Sequence, residues 1–460
     1  MNDQAKATNE KALEPEYPTM ATVLNDKASF LERQGKYDEA EPLYARAIDI
    51  GETALGPEHP DVAVWLNNRA GILHRQERYA EADTLYTRSI EMGKRFLRPG
   101  DADLATRFNK RAGLLRTKGN FAEAESIYAR AAKLWKTTFG NEHPTVATVL
   151  NNRALLLKEQ SNFAEAGALY TRAMTIWVEA MGSTHPDLAA LLNNKAELLA
   201  SIGEYDVCRR LSECSLAIRE RGLGPYHPEV ALSLNTRAKT FAVKGKYVAA
   251  DMLYRRSLFV RERAFGREHP AVAESLDHRA DMLTSQATQG KRSAAKLLYT
   301  RAQVIREKVF GSSHPAAAVS LYNTAGIQCL EGSYEEAHPL YARATKIIDS
   351  TMGSNHPIVV KTLEKWARWL AVQGALEDAE PLYVQATVII ERVLGSDHLD
   401  VAHVLNDRTT LLISQGRISA AIPLLIRAIA IGEKTLGPNH PSLAIWLGNQ
   451  ATLLTAKVII

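Results

Sequence analysis

Leu55-Gly56-Pro57-Glu58-His59-Pro60-Asp61-Val62-Ala63-Val64-Trp65-Leu66-Asn67-Asn68-Arg69-Ala70, followed by Tyr79-Ala80-Glu81-Ala82-Asp83-Thr84-Leu85-Tyr86-Thr87-Arg88, decides the fold, because almost the whole chain repeats it. Positions equivalent to His59 fall at Tyr17, Asp101, His143, His185, His227, His269, His314, His356, His398 and His440. The step is 42 residues, broken once by a step of 45 between His269 and His314. Such a period marks a stacked array in which each unit buries its apolar face against its neighbours. It overrides the length prior, which for 460 residues would be about three domains.

Within one unit the order of signals predicts two helices. His59-Pro60 forces extended geometry before the proline, and proline suits a first helical position, so helix A starts there. Ala63, Leu66, Ala70 and Leu73 follow the three-and-four spacing of one face, which is core. The position of Ala70 is alanine in nearly every copy, small enough for two helices to approach closely. A loop that usually carries glycine follows, as at Gly119, Gly203 and Gly245, then an aromatic such as Tyr79 or Phe121. Pro42, Pro339, Pro381 and Pro423 share one position and are expected in the first turn of helix B. The apolar side of helix B, Ala82, Leu85, Tyr86 and Ser89, returns it antiparallel to helix A. The expectation is an all-α stacked solenoid of ten antiparallel hairpins plus a final unpaired helix. It forms a single array from residue 17 to residue 460, behind a polar tail of residues 1–16.

Composition agrees: the chain is 46% hydrophobic and 23% charged, without an apolar run approaching the roughly 18 residues of a membrane span. Met1 to Glu14 lacks the apolar segment of a secretory signal, so none is expected. Cys208, Cys214 and Cys329 fit neither a disulfide framework nor a zinc site, and a reducing, cytoplasmic setting is expected. Cys208 and Cys214 lie about 240° apart around one helix and should not bridge. A net charge of +4 gives no case for nucleic acid.

The pattern Leu-Asn-Asn-x-Ala, a Gly-x-Tyr/Phe turn, x-Glu-Ala-x-x-Leu-Tyr-x-Arg-Ala and Leu-Gly-x-x-His-Pro resembles the 42-residue tetratricopeptide repeats (TPRs) of kinesin light chains and related scaffold arrays. The resemblance covers Tyr17 to Lys457. It implies a TPR solenoid, a right-handed superhelix whose concave face is lined mainly by A helices and holds extended peptides.

Two columns of polar residues bear on function. Just before the packing alanine stand Lys27, Arg69, Arg111, Arg153, Lys195, Arg237, Arg279 and Arg408, where the family usually has leucine. They could form a cation ladder for a polyanion. The preferred reading packs each stem beside the core and sends its head to acids such as Glu39, Glu81, Glu123 or Glu165 on helix B. The second column is Asn25, Asn67, Asn109, Asn151, Asn193 and Asn235, changing to Asp277, Tyr322 and Glu364 before Asn406. Asparagine is about 0.5 kcal/mol worse than alanine in a helix, so something offsets it. One reading is an amide ladder between neighbouring A helices. The other is a row of groups gripping a peptide backbone on a face open to water, the use the resemblance implies. Selectivity would come from Asn68, Lys110, Asn152 and Asn194 one residue on, and His74, Arg116 and Lys158 seven on, a mildly basic set favouring acidic or C-terminal peptides.

Nucleotide-loop, zinc-protease and nucleophile-elbow motifs are absent, and the nine repeated histidines lie in different units, too far apart for one zinc ion. No enzyme activity, cofactor or metal is expected, and no nucleic-acid or membrane partner. Two function classes remain: a scaffold or adaptor binding protein or peptide segments, and a sensor array belonging to a larger signalling protein. The final helix A ends at Lys457-Val458-Ile459-Ile460, where self-association is expected if the chain docks onto a second copy.

Overall fold

The computed structural model describes residues 16–33, 36–76, 78–96, 101–286, 288–352, 357–438 and 440–459. Among these described residues the regular elements are twenty-one α-helices and no strand. The pairs are α1 (Glu16–Arg33) with α2 (Tyr37–Leu55), α3 (Pro60–Arg75) with α4 (Tyr79–Phe96), α5 (Ala102–Thr117) with α6 (Phe121–Phe139), and α7 (Pro144–Glu159) with α8 (Phe163–Met181). Next come α9 (Pro186–Ser201) with α10 (Tyr205–Leu223), α11 (Pro228–Val243) with α12 (Tyr247–Phe265), and α13 (Pro270–Thr284) with α14 (Gln289–Phe310). The last pairs are α15 (Pro315–Glu331) with α16 (Tyr334–Met352), α17 (Pro357–Val372) with α18 (Leu376–Leu394), and α19 (Leu399–Ser414) with α20 (Ile418–Leu436); α21 (Pro441–Ile459) ends the series. The fold is thus an all-α TPR solenoid. Two compact units divide it, residues up to Arg153 and residues from Ala154 onward. No described helix is long and apolar enough to cross a membrane.

The repeated histidine has a specific task. Its Nδ1 accepts a hydrogen bond from the backbone N–H two residues on, as in His59 with Asp61 (3.2 Å), His227 with Glu229 (3.2 Å) and His398 with Asp400 (3.1 Å). That is an N-cap, satisfying one of the donors a helix start leaves free. Asp101 does the same with its carboxylate toward Asp103 at 2.9 Å. Several rings also stack on the aromatic that ends the preceding helix, His143 on Phe139 at 4.4 Å and His269 on Phe265 at 4.4 Å.

The expected core positions are buried: Ala63, Leu66, Ala70 and Leu73 on α3, and Ala82, Tyr86 and Ser89 on α4. The prolines differ from expectation. Helix α2 begins at Tyr37, so Pro42 stands sixth, inside the helix, as do Pro339, Pro381 and Pro423 in theirs. All four face solvent, where water can satisfy the carbonyl that loses its ladder donor.

The basic column packs beside the core but reaches other acids than those expected. Arg69 bonds Glu41, Arg153 bonds Glu125 and Arg279 bonds Asp251, each on the B helix of the preceding hairpin. Glu39, Glu81 and Glu165 instead serve their own helix starts, beside Lys36, Arg78 and Asn162. Glu123 alone of the four meets the column, 3.2 Å from Arg111, which also bonds Asp83. The acids expected lie in the first helical turn, too near the loop for most of the arginines. Cys208 is buried with its thiol 3.0 Å from the Thr240 hydroxyl, whereas Cys214 is exposed. Val458, Ile459 and Ile460, on which end-to-end self-association was expected, have side chains outside the described residues.

Candidate functional site

In the first unit the A helices α1, α3, α5 and α7 frame a cavity of about 490 Å³. Glycine makes the room. Gly71 and Gly113 interrupt α3 and α5, and a Cβ at either would lie 3.6 Å from the hydroxyl of Tyr86 or Tyr128, which rises from the B helix behind. Glycine costs about 1 kcal/mol against alanine inside a helix. Here it leaves two phenol hydroxyls at the floor of the cavity. Burial pushes the Tyr86 phenol well above its ordinary pKa, so it stays a donor.

Asn68, His74, Asn109, Lys110, Arg116 and Asn152, six of the residues picked out by sequence, line this cavity together with Arg75 and Glu32. Asn152 Nδ2 donates to Asn109 Oδ1 at 2.9 Å, and Asn68 Nδ2 to Asn25 Oδ1 at 3.1 Å, so each amide links one A helix to the next. Arg75 is held by Glu32 at 3.2 Å. Burial, then the charges of Arg116 and Arg75, bring the His74 pKa down to about 4, and its Nε2 meets Thr117 Oγ1 at 3.1 Å. His74 is therefore a neutral hydrogen-bonding group at neutral pH. Lys110 is different. It has no hydrogen bond or ion pair among the described residues, and burial depresses its ammonium pKa. The charge of Glu32, already paired with Arg75, offsets only part of that burial, so a half-buried ammonium without a direct partner gains from a second anion.

The other residues do not join this cavity. Asn67 is buried between helices at 6% exposure, with Oδ1 unpaired, and Asn151 donates to Asn152 Oδ1 at 3.3 Å. In the second unit Asn193 and Asn235 are buried too, at 5% and 8% exposure. Asn193 donates to Glu197 at 3.1 Å, Lys158 pairs with the same carboxylate at 3.2 Å, and Asn235 meets His278 Nδ1 at 3.3 Å. Asn194 is half-buried nearby. The column is therefore buried at Asn67, Asn193 and Asn235 and half-buried at Asn109 and Asn151, and it links neighbouring A helices at Asn25, Asn109 and Asn235. The residue after it, at Asn68, Lys110 and Asn152, lines the cavity beside Asn109.

The second unit has its own cavity of about 370 Å³, lined among others by Asn323, Gly326, Tyr341, Lys365, Arg368 and Trp369. Gly326 again exposes a tyrosine hydroxyl, a Cβ there lying 3.7 Å from Tyr341. Lys365 donates to Asn323 Oδ1 at 3.1 Å and sits 4.3 Å over the Tyr322 ring. Its cation thus has partners that Lys110 lacks. Sequence reasoning missed Gly71, Gly113, Tyr86 and Tyr128. The signal was present as glycine inside a strongly helical pattern, which calls for a packing or functional reason.

The family described as tetratricopeptide repeat matches residues 19–95, 103–177, 145–207, 187–258 and 359–434. No curated protein matches the chain. Among solved structures, BtubC (BKLC) from P. vanneervenii is 21% identical, with a TM-score of 0.41, covering 51% of this chain and 91% of its own. A kinesin light chain-type protein of nearly identical TPR-like repeats from Podosopora anserina is 22% identical, with a TM-score of 0.39, covering 45% of this chain and 97% of its own. A Rap protein complexed with Competence and Sporulation Factor is 16% identical, with a TM-score of 0.48, covering 86% of this chain and 99% of its own.

Proposed function

The chain belongs to the tetratricopeptide repeat family, whose arrays generally mediate protein–protein interactions, and from that premise we propose a non-catalytic adaptor that holds an acidic, extended segment of a partner protein across the first unit's A helices. The observation that carries this reading is Lys110. Its ammonium is desolvated, makes no direct ion pair beyond the field of Glu32, and stands in a cavity with Arg116, the Asn109–Asn152 amide pair and two phenol hydroxyls. A carboxylate entering there gains a charge-assisted hydrogen bond, worth about 1.5–3 kcal/mol, and gives the ammonium a direct partner. Amides and hydroxyls beside it suit the alternating donors and acceptors of an extended backbone.

Selection from a random peptide library displayed with free C-termini tests the proposal. The chain is expected to enrich peptides rich in Asp or Glu, or ending in a carboxylate near an acid, and the Lys110→Met variant is expected to lose that enrichment. Enrichment of neutral or basic peptides, or the same acidic peptides from both proteins, would overturn it.

A further inference from the structure

Two departures from the repeat meet in space. The loop joining A and B helices carries glycine at Gly119, Gly203, Gly245, Gly332, Gly374 and Gly416, all at positive φ. Ser161 occupies the equivalent place with φ 59°, the one non-glycine residue of positive φ among the described residues. An L side chain pays a steric cost for that conformation. At the start of helix A, the array places proline after its histidine in almost every copy, but residue 399 is leucine. Leu399 therefore keeps an N–H, and that N–H donates to the Ser161 hydroxyl at 3.3 Å, across 238 residues of chain. Proline at 399 would have no donor and glycine at 161 no acceptor.

The adjoining histidine completes the contact. His398 Nδ1 accepts the capping N–H of Asp400, and its Nε2 donates to the Glu159 carbonyl at 2.7 Å. One neutral tautomer satisfies both bonds. The ring is 6% exposed, buried by this meeting. One unit further along, a Cβ on Gly203 would lie 3.3 Å from the His440 ring and 3.6 Å from Pro441. The same kind of loop thus touches the same kind of helix start twice in succession, so the second unit forms a seam between successive turns of its coil.

We infer that Glu159 and Ser161 with His398 and Leu399 form a latch that holds the second unit's coil closed on itself and sets how far its A-helix face can open. The latch is polar and small, and it is the point of the seam where the repeat departs from its own rule on both sides. It consists of two hydrogen bonds, one to a hydroxyl and one to a backbone carbonyl, contacts of the kind a reversible closure can break and remake.

The test restores the array's own residues in the full chain, Ser161→Gly with Leu399→Pro. Helix content by circular dichroism should be unchanged. The radius of gyration by small-angle scattering should rise, and amides of residues 400–403 should exchange roughly tenfold faster, the loss of about one hydrogen bond. As a readout independent of that variant, Ser161→Cys with Leu399→Cys should give a mapped 161–399 disulfide in the monomer under mild oxidant. Failure of the cross-link, or a reverted chain that scatters and exchanges as the parent does, would overturn the latch.

Discussion

Arg69 closes a two-pronged grip on Glu41 of the hairpin before it, its Nε and Nη2 lying 2.9 and 2.6 Å from one carboxylate oxygen. The two positions are 28 residues apart, and along the chain they change together. Acid meets arginine at Asp83–Arg111, Glu125–Arg153, Asp251–Arg279 and Glu380–Arg408. Where the acid is Gly167, Lys195 bonds Thr171 at 2.9 Å instead; where it is Arg209, Arg237 turns to Glu213 at 3.1 Å. Where it is His338, the arginine is replaced by Trp366, and the rings meet edge-on at 5.6 Å. The basic column is thus spent on joining hairpins. Glu125→Arg is expected to cost about 1–3 kcal/mol in urea melts, since it leaves two half-buried cations facing each other. Adding Arg153→Glu should restore most of it. Equal losses from the single and double changes would show that the pair does not couple.

The histidine caps make a chemical prediction, because Asp101 already stands where the others have histidine. His227→Asp should keep the stability of α11, while His227→Ala should lose about 1 kcal/mol in the same melts. An alanine variant as stable as the aspartate one would refute the capping role.

Glu364 is set against the ordinary direction of a surface carboxylate. Burial, then the negative charges of Asp400 and Asp407, push its pKa up to about 8. A folded pKa above the unfolded value means that the folded state holds the proton more tightly. The resulting stability is complete below about pH 4, the unfolded carboxylate range, and is lost as pH rises through about 8. The melting temperature should therefore fall from pH 6 to pH 9, and Glu364→Gln should flatten that fall. A Gln variant with the parent's alkaline slope would contradict the assignment.

Gly113 sets stability against access. Alanine there would meet Tyr128 at ordinary contact distance, 3.6 Å, so it fits. Gly113→Ala should stabilise the chain by up to about 1 kcal/mol and weaken acidic-peptide binding by shielding the phenol. A variant that gains stability and binds unchanged would remove the tyrosine from the site.

The hairpins, the starts of the A helices and the core were legible because they rest on periodicity and on the His-Pro signal, whereas the B helices start earlier than Pro42 and its equivalents suggested. Ala63, Leu66 and Ala70 repeat at helical spacing in copy after copy. What periodicity cannot give is the rotation of one helix against the next. That rotation buries Asn67, Asn193 and Asn235 between A helices and turns the following residue, Lys110 or Asn152, toward the cavity. It also sends Arg69 back to Glu41 instead of forward to Glu81. The cavity was hidden for another reason. It exists where two neighbouring units both carry glycine, at Gly71 and Gly113, so it is a property of a pair of copies and invisible in a consensus of all of them. The meeting of Ser161 with Leu399 was likewise beyond reach, since 238 residues separate two changes that look unrelated in the sequence.

The most direct test of the central claim pairs two measurements on Lys110→Met and Asn109→Ala, using an acidic peptide recovered by selection. Lys110→Met should weaken binding at least about tenfold, since a charge-assisted bond is lost, yet melt no lower than the parent because a desolvated cation is gone. Asn109→Ala should instead lower stability by about 1 kcal/mol by breaking its bond with Asn152. Parent binding should weaken as salt is raised, and binding by Lys110→Met should depend on salt less. A Lys110→Met protein that binds the peptide as tightly as the parent, with the same salt dependence, would contradict the account.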